Sequence, residues 1–149
     1  YPNGFIPTIH PDRFNKRFKP SDFVFVSSMG DIAFASDEDF LRIIKKTIDF
    51  PKTNFLLCSK DPKSYLRTGI RIPPENIYLG ATIETTEDYH ISKAPSPHNR
   101  FRALLDYPYH RKFVSIEPIM DFNLFQLLDW IELLKPEIVE VGADNYDNH

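Results

Sequence analysis

Apolar residues fall in five short runs along this chain, and each run gives way abruptly to small polar or charged positions. The first is Phe23-Val24-Phe25-Val26, followed by Ser27-Ser28-Met29-Gly30-Asp31. An apolar run without polar alternation predicts a strand covered on both faces, the condition of strands inside a parallel sheet. The other runs start at Asn54 (NFLLCSK), Ile77 (IYLGATIE), Lys112 (KFVSIEP) and Glu137 (EIVEVGAD).

Between the runs the apolar spacing becomes helical. Ser36 followed by Asp37-Glu38-Asp39 reads as an N-cap with an acidic first turn. Phe40, Leu41, Ile43, Ile44, Thr47 and Ile48 then form one stripe, ended by Pro51. Asp61-Pro62 opens a short helix, with proline where its missing amide costs nothing. Ser96-Pro97 starts a helix carrying Phe101, Leu104 and Leu105, and Asn123 starts another carrying Leu124, Phe125, Leu127, Leu128, Trp130, Ile131 and Leu134. Residues 1–22, with four prolines, form an irregular lead-in with one helical turn near Asp12–Phe18.

Strands alternating with helices predict an α/β fold with a parallel sheet and helices packed outside it. Right-handed crossovers make every connection wrap the same way, so the sheet fans open or curls. Five strands cannot close the eight-stranded barrel. The expected architecture is an open partial (β/α) barrel of about five parallel strands, in a single domain over residues 1–149.

Composition narrows the function. With 149 residues, 42% hydrophobic and 26% charged, the chain has the make-up of an ordinary globular domain. A net charge of −3 gives no electrostatic case for nucleic acid or a membrane surface. The single cysteine, Cys58, excludes a disulfide framework and any multi-cysteine metal site built from this chain alone. No apolar run approaches the roughly 20 residues of a membrane span. No signal peptide is present, and the expected location is cytoplasmic.

In a parallel sheet, the carboxyl ends of the strands share one edge, where such folds place their ligands. That edge would gather Ser28 and Asp31, Ser59 and Lys60, Thr82 and Glu84, Ser115 and Glu117, and Gly142 and Asp144. Carboxylates with a lysine suit a divalent-metal enzyme, for which Asp31, Glu84, Glu117 and Asp144 are the candidates. The alternative is that these groups cap helices or bind loop backbone. Histidines lie away from strand ends and without ligand spacing, and no nucleophile elbow, phosphate loop or dinucleotide fingerprint is present. Cys58, inside an apolar run, reads as a plain buried thiol.

Taken in order, YPNGFIPTIHPDRF, VFVSSMGD, FLLCSKDPKSYL, NIYLGATIETTED and KFVSIEPIMDF resemble a phage-associated radical SAM-like family related to the spore photoproduct lyase-like proteins. Ala94-Pro95-Ser96-Pro97 followed by Arg100 resembles the APSP-x-x-R stretch of those relatives. The resemblance covers nearly the whole chain. It implies a six-stranded partial barrel in which the strand at Phe23 is the second and the first lies upstream of Tyr1. The strand at Phe23 would then be an uncovered edge, open to self-association.

The resemblance also implies S-adenosylmethionine and a 4Fe-4S cluster as cofactors. Ser28, Met29, Gly30 and Asp31 would stand where the superfamily receives the amino group of S-adenosylmethionine. Thr82 and Glu84 would face the ribose or methionine part, Arg100 or Lys93 the carboxylate, and Gly142 with Asp144 the adenine end. Lys60 and Glu117 join them as cofactor-facing strand-end groups. The cluster needs three cysteines in a CxxxCxxC loop, and this chain has only Cys58. Radical chemistry is therefore expected only with a cluster segment outside this sequence. The alternative is a cluster-less barrel that binds a ligand or a partner. The substrate is unassigned. Nucleic acid is the guess the relatives offer and the charge does not support.

Overall fold

The computed structural model describes residues 6–67, 69 and 73–143. Within them, five parallel strands form one sheet in the order β1 (Phe23–Val26), β2 (Asn54–Ser59), β3 (Ile77–Thr82), β4 (Lys112–Ile116) and β5 (Ile138–Val141). The sheet curls into a half-barrel with β1 and β5 as its edges. Three helices, α1 (Asp37–Ile48), α2 (Pro97–Asp106) and α3 (Leu124–Leu134), serve three of the crossovers. The β2–β3 connection contains a 3₁₀ turn, Pro62–Leu66, and the lead-in carries another at Pro11–Asn15. Among the described residues, no helix is long and apolar enough to cross a membrane.

Helix starts follow the capping residues. The Ser36 hydroxyl accepts the Asp39 amide at 3.1 Å, ahead of three acids that suit the positive end of the α1 dipole. Ser96 and Asn123 cap α2 and α3 in the same way, accepting from Asn99 and Gln126. Of the stripe on α1, Phe40, Ile44 and Thr47 are buried, whereas Leu41 and Ile48 are exposed.

Side chains alternate across the sheet. The outward set of β2 and β3 (Phe55, Leu57, Ile77, Leu79) packs with Phe40 and Ile44 of α1 and with Tyr65 and Tyr107. Farther along the sheet, Ala81, Val114 and Ile116 pack with Phe101 and Leu104 of α2 and Leu127, Trp130 and Leu134 of α3. The Trp130 and Phe101 rings stack at 4.8 Å.

The strand register stacks the inward set in layers. Phe25, Leu56 and Tyr78 form one, Cys58, Gly80, Phe113 and Ile138 the next, and Thr82, Ser115 and Glu140 the one nearest the carboxyl ends. Below them, the Phe23 and Tyr78 rings meet at 5.3 Å, and the Arg111 guanidinium lies 3.9 Å over Tyr78, closing the amino-terminal end. The interior is therefore apolar at the bottom and polar at the top.

One expectation does not hold. Neither edge strand is covered on both faces, since Phe23 and Phe25 of β1 are 49% and 48% exposed and Val139 and Val141 of β5 are 41% and 60% exposed. Among the described residues β1 pairs only with β2 and β5 only with β4, so the side chains of these edge strands lack a neighbour on one side.

Candidate functional site

Three groups of residues occupy the carboxyl edge and the interior beneath it. The first centres on Asp31. After β1 the chain turns sharply, with Ser27 in the left-handed region (φ 62°) and its carbonyl accepting the Gly30 amide at 2.9 Å. Ser28, Met29 and Gly30 form the exposed crest of this turn, with Met29 76% exposed. Asp31 turns back into the protein. Its Oδ1 accepts from the Ala33 amide at 2.9 Å and the Ser59 hydroxyl at 2.6 Å, and its Oδ2 accepts from the Lys60 amide at 2.7 Å. The carboxylate therefore stitches the loop after β1 to the end of β2.

The second group centres on Glu84, just beyond β3. Its Oε2 lies 2.7 Å from Arg100 Nη1 and its Oε1 3.1 Å from Lys60 Nζ. Arg100 comes from the first turns of α2, is buried, and also donates to the Pro95 carbonyl at 2.6 Å and the Thr82 carbonyl at 3.1 Å. Burial alone would raise the Glu84 pKa. Its own backbone amide, the Arg100 hydrogen bond and the Lys60 charge outweigh that and hold it below the usual carboxylate range. The Lys60 side chain is 40% exposed and reaches the surface of the edge.

The third group lines the interior. An open trough of about 370 Å³ is bounded by Phe25, Cys58, Thr82, Phe113, Ser115, Glu117 and Glu140. The Phe113 ring lies against Gly80, where a Cβ would stand 3.0 Å from Phe113 Cδ1. Glu117 leans over Gly142, just past the end of β5, where a Cβ would come within 2.7 Å of Glu117 Cγ and Cδ. The Cys58 thiol contacts the Thr82 hydroxyl at 3.6 Å. Burial, reinforced by the Asp31 and Glu140 charges, pushes its pKa to about 11 against the Thr82 bond, so it is a neutral thiol at pH 7.

The strand-end residues thus divide. Asp31, Lys60, Glu84, Arg100 and Thr82 are brought together through Ser59 and the Thr82 carbonyl. Ser28, Met29 and Gly30 stand above them on the turn. Glu117 and Gly142 form a separate pair on the β4–β5 side. Lys93 is exposed in the loop before α2. Asp144 lies outside the described residues. Asp31, Glu84 and Glu117 do not assemble as metal ligands, and among the described residues no group of three or more His, Cys, Asp or Glu side chains does so.

Glu140, Phe25 and Phe113 line the trough, and the pattern of polar strand ends does not point to them. Period-two alternation in Ile138-Val139-Glu140-Val141-Gly142 places Glu140 on the Gly142 face, which was the available signal. The thiolate set of a 4Fe-4S cluster does not fit the residues of this chain, because its one cysteine is a buried, protonated thiol bonded to Thr82. No step is derived through such a cluster. Compared with known proteins, the chain matches no protein-family model, no curated protein and no solved structure.

Proposed function

We propose that this chain is a radical SAM-like half-barrel that binds S-adenosylmethionine at the carboxyl edge of its sheet and does not cleave it without thiolates from elsewhere. The observation that carries the binding part is the polar carboxyl edge of a curled parallel sheet, where the exposed Ser28-Met29-Gly30 turn stands beside Lys60 and the Glu84–Arg100 pair. The buried, neutral Cys58 favours binding over redox chemistry by this chain alone.

When bound, S-adenosylmethionine brings an ammonium, a carboxylate, a ribose and an adenine. In this reading the carbonyls of the Ser28-Met29-Gly30 turn receive the ammonium, since a cation with three N–H donors wants backbone acceptors. Lys60 is the accessible cation for the carboxylate, while the Thr82 hydroxyl serves the ribose. Glu84 and Arg100 act as a brace. They fix the height of Lys60 above the sheet and keep the edge rigid, which lowers the ordering cost of binding.

The test is calorimetric titration of the chain with S-adenosylmethionine. Saturable binding, weakened about tenfold by Lys60→Met, is the expected result, the equivalent of roughly 1.4 kcal/mol. Absence of binding up to about 1 mM ligand, a free energy near 4 kcal/mol, sinks the reading.

A further inference from the structure

The β4–β5 side of the trough holds groups that the strand-end reading does not use. Ser115 is only 9% exposed and lines the trough, and its hydroxyl has no partner among the described residues. Glu140 faces it directly across the β4–β5 pairing, and Glu117 follows on the same face of the chain two residues on. Both carboxylates also line the trough, and neither has an ion-pair partner among the described residues. Lys60, a nearby strand-end cation, is drawn to Glu84 at 3.1 Å.

The Ser115 hydroxyl is open to the trough, so a ligand N–H can take the place of the hydrogen bond that water gives it there. Like charges on adjacent strands repel each other, and a cation between them removes that repulsion. Phe25 and Phe113, with Cys58 and Thr82, supply the remaining walls. Aromatic faces attract organic cations as well as apolar bodies. Gly142 contributes by omission, since its missing Cβ is what leaves room for the Glu117 side chain.

We propose that the trough is a second ligand site, for an organic ammonium carried on an apolar or aromatic body. Glu117 and Glu140 hold the ammonium, Ser115 accepts one of its N–H groups, and Phe25 and Phe113 flank the body. The substrate class assigned to this half-barrel is therefore an amine. This site stands on the inner face of β4 and β5 and shares only the wall residue Thr82 with the edge.

Calorimetric titration with tyramine, and with 4-ethylphenol as its neutral counterpart, tests the proposal on the full chain. Tyramine is expected to bind saturably, at least about tenfold more tightly than 4-ethylphenol, and to lose about tenfold on Glu117→Gln or Glu140→Gln. Both carboxylates are solvent-exposed and the substitutions preserve shape, so the variants should melt near the parent. Should one fail to fold, the comparison of tyramine with 4-ethylphenol on the parent chain still decides. Equal binding of the two probes, no binding, or unchanged tyramine affinity in the carboxamide variants overturns the proposal. Adding S-adenosylmethionine to the tyramine-saturated chain separates the two readings. Independent binding supports two sites. Competition overturns the second site and leaves the S-adenosylmethionine reading standing. Tyramine binding without S-adenosylmethionine binding upholds the trough and sinks only the edge reading.

Discussion

Glu84 Oε2 lies 2.7 Å from Arg100 Nη1, with both side chains at least nine-tenths buried, so the pair is a desolvated ion pair joining the end of β3 to α2. Such pairs are asymmetric: removing one partner strands the other charge in a low-dielectric setting. Arg100→Met should therefore destabilise the chain by about 3 kcal/mol. Lys60, 40% exposed on the other oxygen, should matter much less, with Lys60→Met costing under about 1 kcal/mol. Urea midpoints for the two variants check this, and equal losses would contradict the assignment of Arg100 as the brace.

The same pair sets an acid limb. Glu84 has a folded pKa below its ordinary value of 4.5, so the unfolded chain binds its proton at higher pH than the folded one does. Its contribution is fully present above the unfolded value and is lost as pH falls through the lower, folded one. Parent stability should thus fall more steeply than that of Glu84→Gln once pH drops below about 4.5. Denaturant titrations at pH 7, 4.5 and 3 measure the difference, and parallel curves would remove Glu84 from the account.

Asp31 is the second anchor, accepting from the Ser59 hydroxyl and from two backbone amides. Asp31→Ala leaves these donors without their acceptor and should cost about 1–3 kcal/mol. Asp31→Asn should not rescue it, because whichever way the amide is turned, its NH₂ faces a donor. Met29→Ala, on the exposed crest, should change stability by less than about 0.5 kcal/mol. A stable Asp31→Asn variant, read by thermal melting, would show that the stitch between β1 and β2 is dispensable.

The parts of this fold that local pattern controls were legible in the sequence. Ser36, Ser96 and Asn123 cap their helices because a short side-chain oxygen beside a helical stripe has one good use. The five apolar runs gave five strands in order, since burial between helices and barrel interior demands such runs. The partial cover of β1 was not legible from its run, because FVFV reads the same in the middle of a sheet and at its edge. The pairing of Glu84 with Arg100 joins residues 16 apart and depends on how α2 seats on β3. In sequence Glu117 follows its strand just as Glu84 does, yet the two sit in different surroundings, Glu84 paired and buried and Glu117 open to the trough. Glu140 is not legible as a trough group, because an acid within a short edge strand reads first as solvent-facing.

The glycines offer the sharpest local test. A Cβ on Gly142 would press within 2.7 Å of Glu117 Cγ and Cδ, atoms of an exposed side chain that can swing away. Gly142→Ala should therefore cost only about 1 kcal/mol, the low end for overpacking, while displacing the carboxylate and weakening tyramine binding as Glu117→Gln does. Gly80 is different in kind. Its Cβ would meet the Phe113 ring at 3.0 Å and the Phe113 carbonyl oxygen at 3.2 Å, and neither can move without disturbing the β3–β4 ladder. Gly80→Ala should cost about 2–3 kcal/mol. Gly30, with nothing within 4 Å and no left-handed φ, should accept alanine almost freely, within roughly 0.5 kcal/mol. The order Gly80, Gly142, Gly30 in denaturation midpoints is the expected outcome. The order in tyramine affinity among the folded variants should set Gly142→Ala clearly below Gly30→Ala. A Gly142→Ala variant that keeps full affinity would mean that the Glu117 carboxylate does not act from the position it holds over β5.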